Sequence, residues 1–176
     1  MAAGLISLRP LEPSDAEALC ELRARNRAFL APWEPLRDES YYTLESAEAS
    51  IADHQAARAA DRGYAFGIFA PQLAGWVNLS NVVRGVFQNA YLGYAVDQGS
   101  NGRGYATGAV LEAVRIGFAE LGLHRVQAAA MPRNRSSIRV LEKAGFRAEG
   151  TAERYLCIAG SWEDHLLFAR TNDARG

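Results

Sequence analysis

The stretch Gln98-Gly99-Ser100-Asn101-Gly102-Arg103-Gly104-Tyr105-Ala106 lies between an apolar run and the most regular helical pattern in the chain, and its reading decides the fold. Glycine at 102 and 104 lets the backbone turn its N–H groups outward, and a helix starting just beyond places a positive dipole end behind them. Together they make a cradle for an anion, with a pyrophosphate as its natural occupant. No Gly-Lys-Ser/Thr follows, so this is not a Walker loop. The loop also sits in mid-chain after several strands, where a dinucleotide-binding βαβ unit would open with it.

Beyond the loop, Ala106, Ala109, Val110, Ala113, Val114, Gly117, Phe118 and Leu121 recur at i, i+3, i+4, i+7 spacing and predict a helix over 106–121, ended by Gly122. A buried strand over 125–131 and a short helix from Asn134 follow, its apolar face being Ile138, Leu141 and Ala144. Gly145 and Phe146 suit a Schellman ending. Strands over 146–155 and 162–169, joined around Gly160, complete the pattern. Before the loop, runs over 64–70, 73–83 and 87–96 predict an antiparallel meander turning at Pro71 and Arg84-Gly85. Gly93 interrupts the last of these strands, where a bulge or a close approach by a ligand is expected. The N-terminal part reads as a strand over 5–9, a helix from Pro13-Ser14-Asp15 to about Arg27, an irregular loop over 31–42 and a helix over 44–60.

A chain of 176 residues buries a core of its own but leaves little for a second, so residues 1–176 are expected to form one domain. Its net charge of -1 provides no electrostatic footprint for nucleic acid, which argues against direct nucleic-acid binding. Neither a basic-then-apolar leader nor an apolar run of spanning length occurs, so a cytoplasmic protein without membrane contact is expected. Cys20 and Cys157 show neither CxxC spacing nor a Cys/His cluster. No disulfide framework and no metal site are indicated, and both cysteines read as small buried hydrophobes. His54, His124 and His165 read as surface or packing residues.

A second constellation runs from Asn134-Arg135-Ser136-Ser137 to Lys143-Ala144-Gly145-Phe146. Asn134 has cap chemistry for the helix it precedes. Taken with the glycine loop, this NxxS helix ending in KxGF resembles the paired motifs of the GNAT N-acetyltransferases. The resemblance implies an α/β (α+β) fold whose mixed, mostly antiparallel seven-stranded sheet splays into a V between strands 4 and 5, with about four flanking helices. It also implies acetyl-CoA as cosubstrate. By that likeness Tyr94, Ala95 and Val96 border the pantetheine arm. Asn101, Gly102, Arg103, Gly104, Tyr105 and Ala106 contact the pyrophosphate, and Asn134 and Ser137 lie beside the thiol. Gly99 departs from the Gln or Arg that many members carry there, which leaves only backbone contacts. Gly108 stands where relatives often have Glu, and a glycine inside a helix costs about 1 kcal/mol against alanine.

The likeness is closer at the subfamily level. Asn26-Arg27-x-Phe29-Leu30-x-Pro32-Trp33-Glu34-Pro35, Ser80-Asn81-Val82-Val83-Arg84-Gly85, Met131-Pro132-x-Asn134 and Gly160-x-Trp162-x-Asp164-His165 resemble the RimJ-type ribosomal-protein alanine N-acetyltransferases. That implies transfer to a polypeptide N-terminus, that of a small-subunit ribosomal protein, by a monomer or homodimer. In GNAT enzymes the amine attacks the thioester directly, so the site must supply a neutral amine, a polarised carbonyl and a proton for the leaving thiolate. A backbone N–H near Gly93 suits the oxyanion. Ser137 is the candidate proton donor. The Glu and Tyr acid/base pair of the related RimI enzymes is replaced by Ala129 and Leu141. An α-amine with a pKa near 8 is already roughly one-tenth neutral at pH 7, whereas a lysine near 10.4 is not, so it demands less of a base. Glu34 is the candidate base, with Tyr155 as second, and Trp33 with Glu34 is expected to wall the acceptor site. Two other readings stay open: acetylation of a small amine such as an aminoglycoside or polyamine, and a noncatalytic acyl-CoA-binding regulator.

Overall fold

The computed structural model describes residues 6–173. Strand β1 (Ser7–Arg9) leads to helix α1 (Ala16–Leu30), and α2 (Leu44–Ala59) precedes the meander β2 (Tyr64–Phe69), β3 (Leu73–Val83) and β4 (Asn89–Val96). Helix α3 (Tyr105–Arg115) is followed by β5 (Arg125–Ala130), α4 (Arg135–Lys143), β6 (Arg147–Ile158) and β7 (Ser161–Thr171). The seven strands form one sheet in the order β1-β2-β3-β4-β5-β7-β6. Neighbours are antiparallel except β4 and β5, which are parallel.

Strand alternation sends Phe66, Ile68, Val77 and Leu79 into a core with Ala109, Val110, Ala113 and Val114 of α3 and Ile138 and Leu141 of α4. Leu19 and Leu22 of α1 and Ala47 and Ile51 of α2 instead pack with Leu73, against half-buried Phe69 and Trp76. The Leu, Ile, Val and Phe side chains among them each contribute about 1.5–3 kcal/mol when fully buried, so the two clusters hold the helices against the sheet.

What positions the site is where pairing stops. Strands β4 and β5 pair only from Asn89↔Arg125 to Tyr91↔Gln127. Beyond Tyr91, β4 stays paired to β3 while β5 continues beside β7, and the two arms part as the expected V. The β5-facing edge of residues 92–96 is thereby left without a partner on β5, and a strand edge must place its polar groups somewhere.

Several local expectations are met and others are corrected. Asn134 caps α4 by accepting the Ser137 N–H at 3.1 Å. Gly145 (φ 80°) closes α4, with Gly145 N–H donating to Glu142 and Phe146 N–H to Leu141. The expected helix over 106–121 is α-helical only to Arg115, and residues Ile116–Glu120 widen into a π-turn. A Cβ on Gly117 would lie 3.4 Å from Leu79, so the helix comes close to the sheet at this point. The bulge expected at Gly93 is not there. Register between β3 and β4 runs unbroken through Asn78↔Gly93, and the irregularity lies between Ser80 and Val83, where Asn81 has φ 50°. Gly93 instead permits a close approach: a Cβ there would lie 2.7 Å from the Asn78 side-chain oxygen. Helix α1 runs a turn past Arg27, and β6 and β7 are longer than expected, meeting at Ala159-Gly160, both at positive φ. Such a two-residue turn matches strand twist. Cys157 is exposed on β6, contrary to the buried reading, while Cys20 is partly buried and donates to the Tyr42 carbonyl. Leu5, in the first expected strand, lies outside the described residues.

Candidate active site

The mouth of the V is a cleft of about 590 Å³. Its floor is Tyr94, Ala95 and Val96 of β4, and one wall is the loop and first turn of α3, with Asn101, Gly102, Gly104, Tyr105 and Ala106. Opposite stand Asn134 and Ser137 at the start of α4, and Trp33 after α1 forms a further side. Residues as far apart in the chain as Trp33 and Ser137 are thus gathered at one place. Of the residues picked from sequence as cofactor contacts, all but Arg103 line this cleft; Arg103 is exposed outside it.

The loop has the conformation its glycines allow. Gly102 and Gly104 take φ of 75° and 80°, and Gly104 is the cap residue from which α3 starts. A Cβ on Gly102 would meet nothing within 4 Å, so the outer face of the turn is open. First-turn N–H groups of a helix have no intrahelical partner and point along its axis, which suits a pyrophosphate in charge and in hydrogen-bond polarity. Arg139 and Lys143 of α4 also line the cleft; Arg139 was not singled out from sequence, and Lys143 only as part of the motif that ends the helix. Their signal was present: Arg135, Arg139 and Lys143 recur at i+4 spacing and share one helix face. Phe29 and Leu30, read from sequence only as part of the subfamily likeness, bring apolar surface from the last turn of α1.

At the inner end, the hydroxyls of Tyr94 and Ser137 lie 2.8 Å apart, and Tyr94 Oη is 3.2 Å from the Ser137 carbonyl. The contact bridges the two arms of the V beyond the point where β4 and β5 cease to pair. Burial pushes the Tyr94 phenol up to about 12, against the opposing pull of its bond to Ser137, so it stays protonated at neutral pH.

Glu34 does not line the cleft, although its neighbour Trp33 does. Its backbone carbonyl accepts from Ala159 N–H at 2.9 Å, docking the loop after α1 on the β6–β7 turn. The Glu34 side chain is 20% exposed, with Arg37 Nε at 3.8 Å. Burial raises its carboxyl above the ordinary range, and the nearby guanidinium groups of Arg37 and Arg23 only partly offset this. Tyr155 is half-buried on β6, outside the cleft, with its ring edge-on to His165 at 5.7 Å; burial, more than its bond to Tyr91, raises its phenol. His165 itself is buried and shares Nδ1 with the Glu163 carbonyl at 2.9 Å, in keeping with a packing role. Among the described residues, no group of three or more His, Cys, Asp or Glu side chains is placed to hold a metal ion.

A mixed sheet opened between parallel β4 and β5, with a glycine cradle on one lip and an Asn-capped helix on the other, is the architecture of an acyltransferase that acts on a CoA thioester. The family model described as acetyltransferase (GNAT) domain matches residues 6–147, and the chain belongs to that family of N-acetyltransferases. It is 44% identical over 170 residues to the probable N-acetyltransferase YjcK of Bacillus subtilis (strain 168), covering 95% of this chain and 94% of that one. To the [ribosomal protein uS5]-alanine N-acetyltransferase of Escherichia coli (strain K12) it is 38% identical over 167 residues, covering 93% and 86%. Among solved structures, Mycobacterium smegmatis RimJ in complex with CoA-disulfide superposes with a TM-score of 0.94 at 34% identity, covering 98% of this chain and 84% of that chain. The ribosomal-protein-S5-alanine acetyltransferase from Vibrio fischeri gives 0.92 at 34% identity, covering 96% and 94%.

Proposed function

We propose that this enzyme transfers the acetyl group of acetyl-CoA to the N-terminal α-amine of an alanine- or serine-initiated polypeptide, a small-subunit ribosomal protein being the natural acceptor. The observation that carries the reading is likeness along nearly the whole chain to enzymes named for uS5-alanine acetylation, joined to a cleft that has the cradle and the splayed strands such a reaction needs. Residues 1–176 then act as one domain, in the cytoplasm.

The residues present fit the cosubstrate. Amides from 101 to 106 and the α3 dipole take the pyrophosphate, and Arg139 and Lys143 add positive charge for the phosphates. The unpaired edge of β4 from Tyr94 to Val96 takes the pantetheine amides, and a backbone N–H near Gly93 faces the thioester carbonyl. The neutral amine attacks the carbonyl carbon. The tetrahedral intermediate then collapses with cleavage of the C–S bond, and the thiolate receives a proton. Ser137 donates to the developing thiolate while Tyr94 donates to the Ser137 oxygen, a chain in which each bond strengthens the next. Glu34, which does not itself line the cleft, takes through water the proton that the amine loses, its raised pKa making it a better base than an exposed carboxylate.

The test uses peptides that carry both a free N-terminal alanine and an internal lysine, with spermidine and kanamycin as competitors. Mass spectrometry should locate the acetyl group on the α-amine, and peptides starting with Ala or Ser should exceed those starting with a bulky residue by roughly 10- to 200-fold in kcat/KM. Acetylation confined to lysine, or small amines outcompeting every peptide, would overturn the acceptor assignment. No thiol release with any acceptor would favour a noncatalytic acyl-CoA-binding protein.

A further inference from the structure

Asn26 occupies the α1 position where the spacing from Leu19 and Leu22 calls for another apolar residue, and it is 1% exposed. A carboxamide buried this deeply is costly unless every polar atom is bonded. Here all are. Its Nδ2 donates to the Leu22 carbonyl and to Asp97 Oδ1, both at 2.8 Å, and its Oδ1 accepts the Gln98 backbone N–H at 2.8 Å. Asp97 is further held by Arg25, whose Nε lies 3.4 Å from Oδ1. Burial works against charge on Asp97, yet the bonds from Asn26 and Arg25 keep its carboxyl below the usual range, so it is an anion and a pure acceptor at neutral pH.

The partners give this bond set its meaning. Asp97 and Gln98 are the first residues after β4, and the same loop becomes the cradle at Asn101 to Gly104 a few residues later. On α1, Phe29 and Leu30 follow Asn26 at i+3 and i+4 in the helix's last turn, and Trp33 stands in the short 3-10 turn that comes directly after, so the part of α1 that walls the cleft is the turn following Asn26. One side chain therefore joins the root of the cradle to the α1 side of the cleft.

We propose that Asn26 is a positioning residue that sets the coenzyme cradle in register with the α1 wall of the acceptor site. It touches no substrate and acts through Asp97 and Gln98. The inference rests on the reading that the cleft takes acetyl-CoA.

Exchange of the pair tests it. In Asn26→Asp the new carboxylate still accepts from Gln98 but faces Asp97 and has no N–H to give. In the double variant Asn26→Asp/Asp97→Asn a donor and an acceptor are again opposed, with roles reversed. Titration calorimetry with acetyl-CoA should show affinity weakened about 10-fold or more in the single variant, as for loss of a charge-assisted hydrogen bond, with KM for the acceptor peptide rising as well. The double variant should return to within about threefold of wild type in affinity, since the bond between positions 26 and 97 is restored, while the bond to the Leu22 carbonyl, lost in both variants, should lower the melting temperature of both. If the single variant does not fold, Asp97→Ala, which buries no new charge, should weaken acetyl-CoA binding with an unchanged circular dichroism spectrum. A lowered melting temperature with unchanged affinity and KM would reduce Asn26 to a structural residue, and a double variant as weak as the single would show that the Asn26–Asp97 pair is not the link. A wild-type protein that bound no acetyl-CoA would instead defeat the functional reading itself.

Discussion

At the scale of single residues, two side chains can be separated by their expected behaviour. If Ser137 supplies the proton and Tyr94 only orients it, Ser137→Ala should lower kcat by about 100-fold or more while Tyr94→Phe costs about 10-fold, the value of one neutral hydrogen bond. The double variant should be no slower than Ser137→Ala, and stopped-flow thiol release in all four proteins reads this directly. Additive losses would give Tyr94 a role of its own. Glu34 calls for a different measurement. Its carboxyl pKa is raised in the fold, so the folded state holds the proton more tightly than the unfolded one. Rising pH through the window above the ordinary carboxylate pKa therefore costs stability, and the cost persists at neutral pH. Glu34→Gln should accordingly melt no lower than wild type at pH 7, with the difference vanishing in acid below that window. Its kcat/KM should nonetheless fall, and the acid limb of the pH–rate profile should disappear if Glu34 is the base.

At the scale of elements, Arg84 explains a motif that the chemistry does not use. At the end of β3 it donates through Nε and Nη2 to Asp61, at 2.7 and 2.6 Å, and through Nη1 to the Leu121 carbonyl at 2.6 Å. The turn after α2 and the exit from the π-turn are thus tied to one strand end. Arg84→Ala should cost about 1–2 kcal/mol in urea denaturation at pH 7, a discounted figure because both partners of the ion pair are more than a third exposed. Asp61 is held down to about 2 by hydrogen bonds from Arg84 and Tyr64. Its stabilising contribution is complete above the ordinary carboxylate range and is lost as pH falls through about 2, so the gap between variant and wild type should narrow there. The Ser80-to-Gly85 motif was legible as a turn from its glycine and as a family mark from its wording. Neither its bulge nor the partners of Arg84 could be read, because Asp61 and Leu121 lie 23 and 37 positions away.

At the scale of the whole molecule, a ligand that binds only the folded state stabilises it by mass action, by about 2.7 kcal/mol at a hundred times its Kd. For a chain of this size that is a rise in melting temperature of roughly 5–10 °C with acetyl-CoA. Gly104→Val places a β-branched residue at φ 80°, a strained backbone, directly under the cradle. It should melt somewhat lower than wild type and show little or no rise with acetyl-CoA; a full rise would move the pyrophosphate elsewhere. By itself the sequence determined the elements whose causes are local: the positive-φ glycines of the loop, the start of α3, the Asn134 cap and glycine ending of α4, and the alternation that makes β3 half-buried. Each depends on neighbours within about one turn or one strand pair, where residue type dictates dihedral angle and the direction of the N–H. Only tertiary structure decided that β4 and β5 part after Tyr91 and Gln127, that α3 loosens into a π-turn, that Arg103 misses the cleft, that Cys157 is exposed, and that Tyr94 meets Ser137 and Asn26 meets Asp97. Those two contacts span 43 and 71 positions, and no periodicity in the chain relates residues so far apart. They exist because packing the helices against one twisted sheet brings polar groups together in places where each must find a partner or bear the cost of leaving water alone.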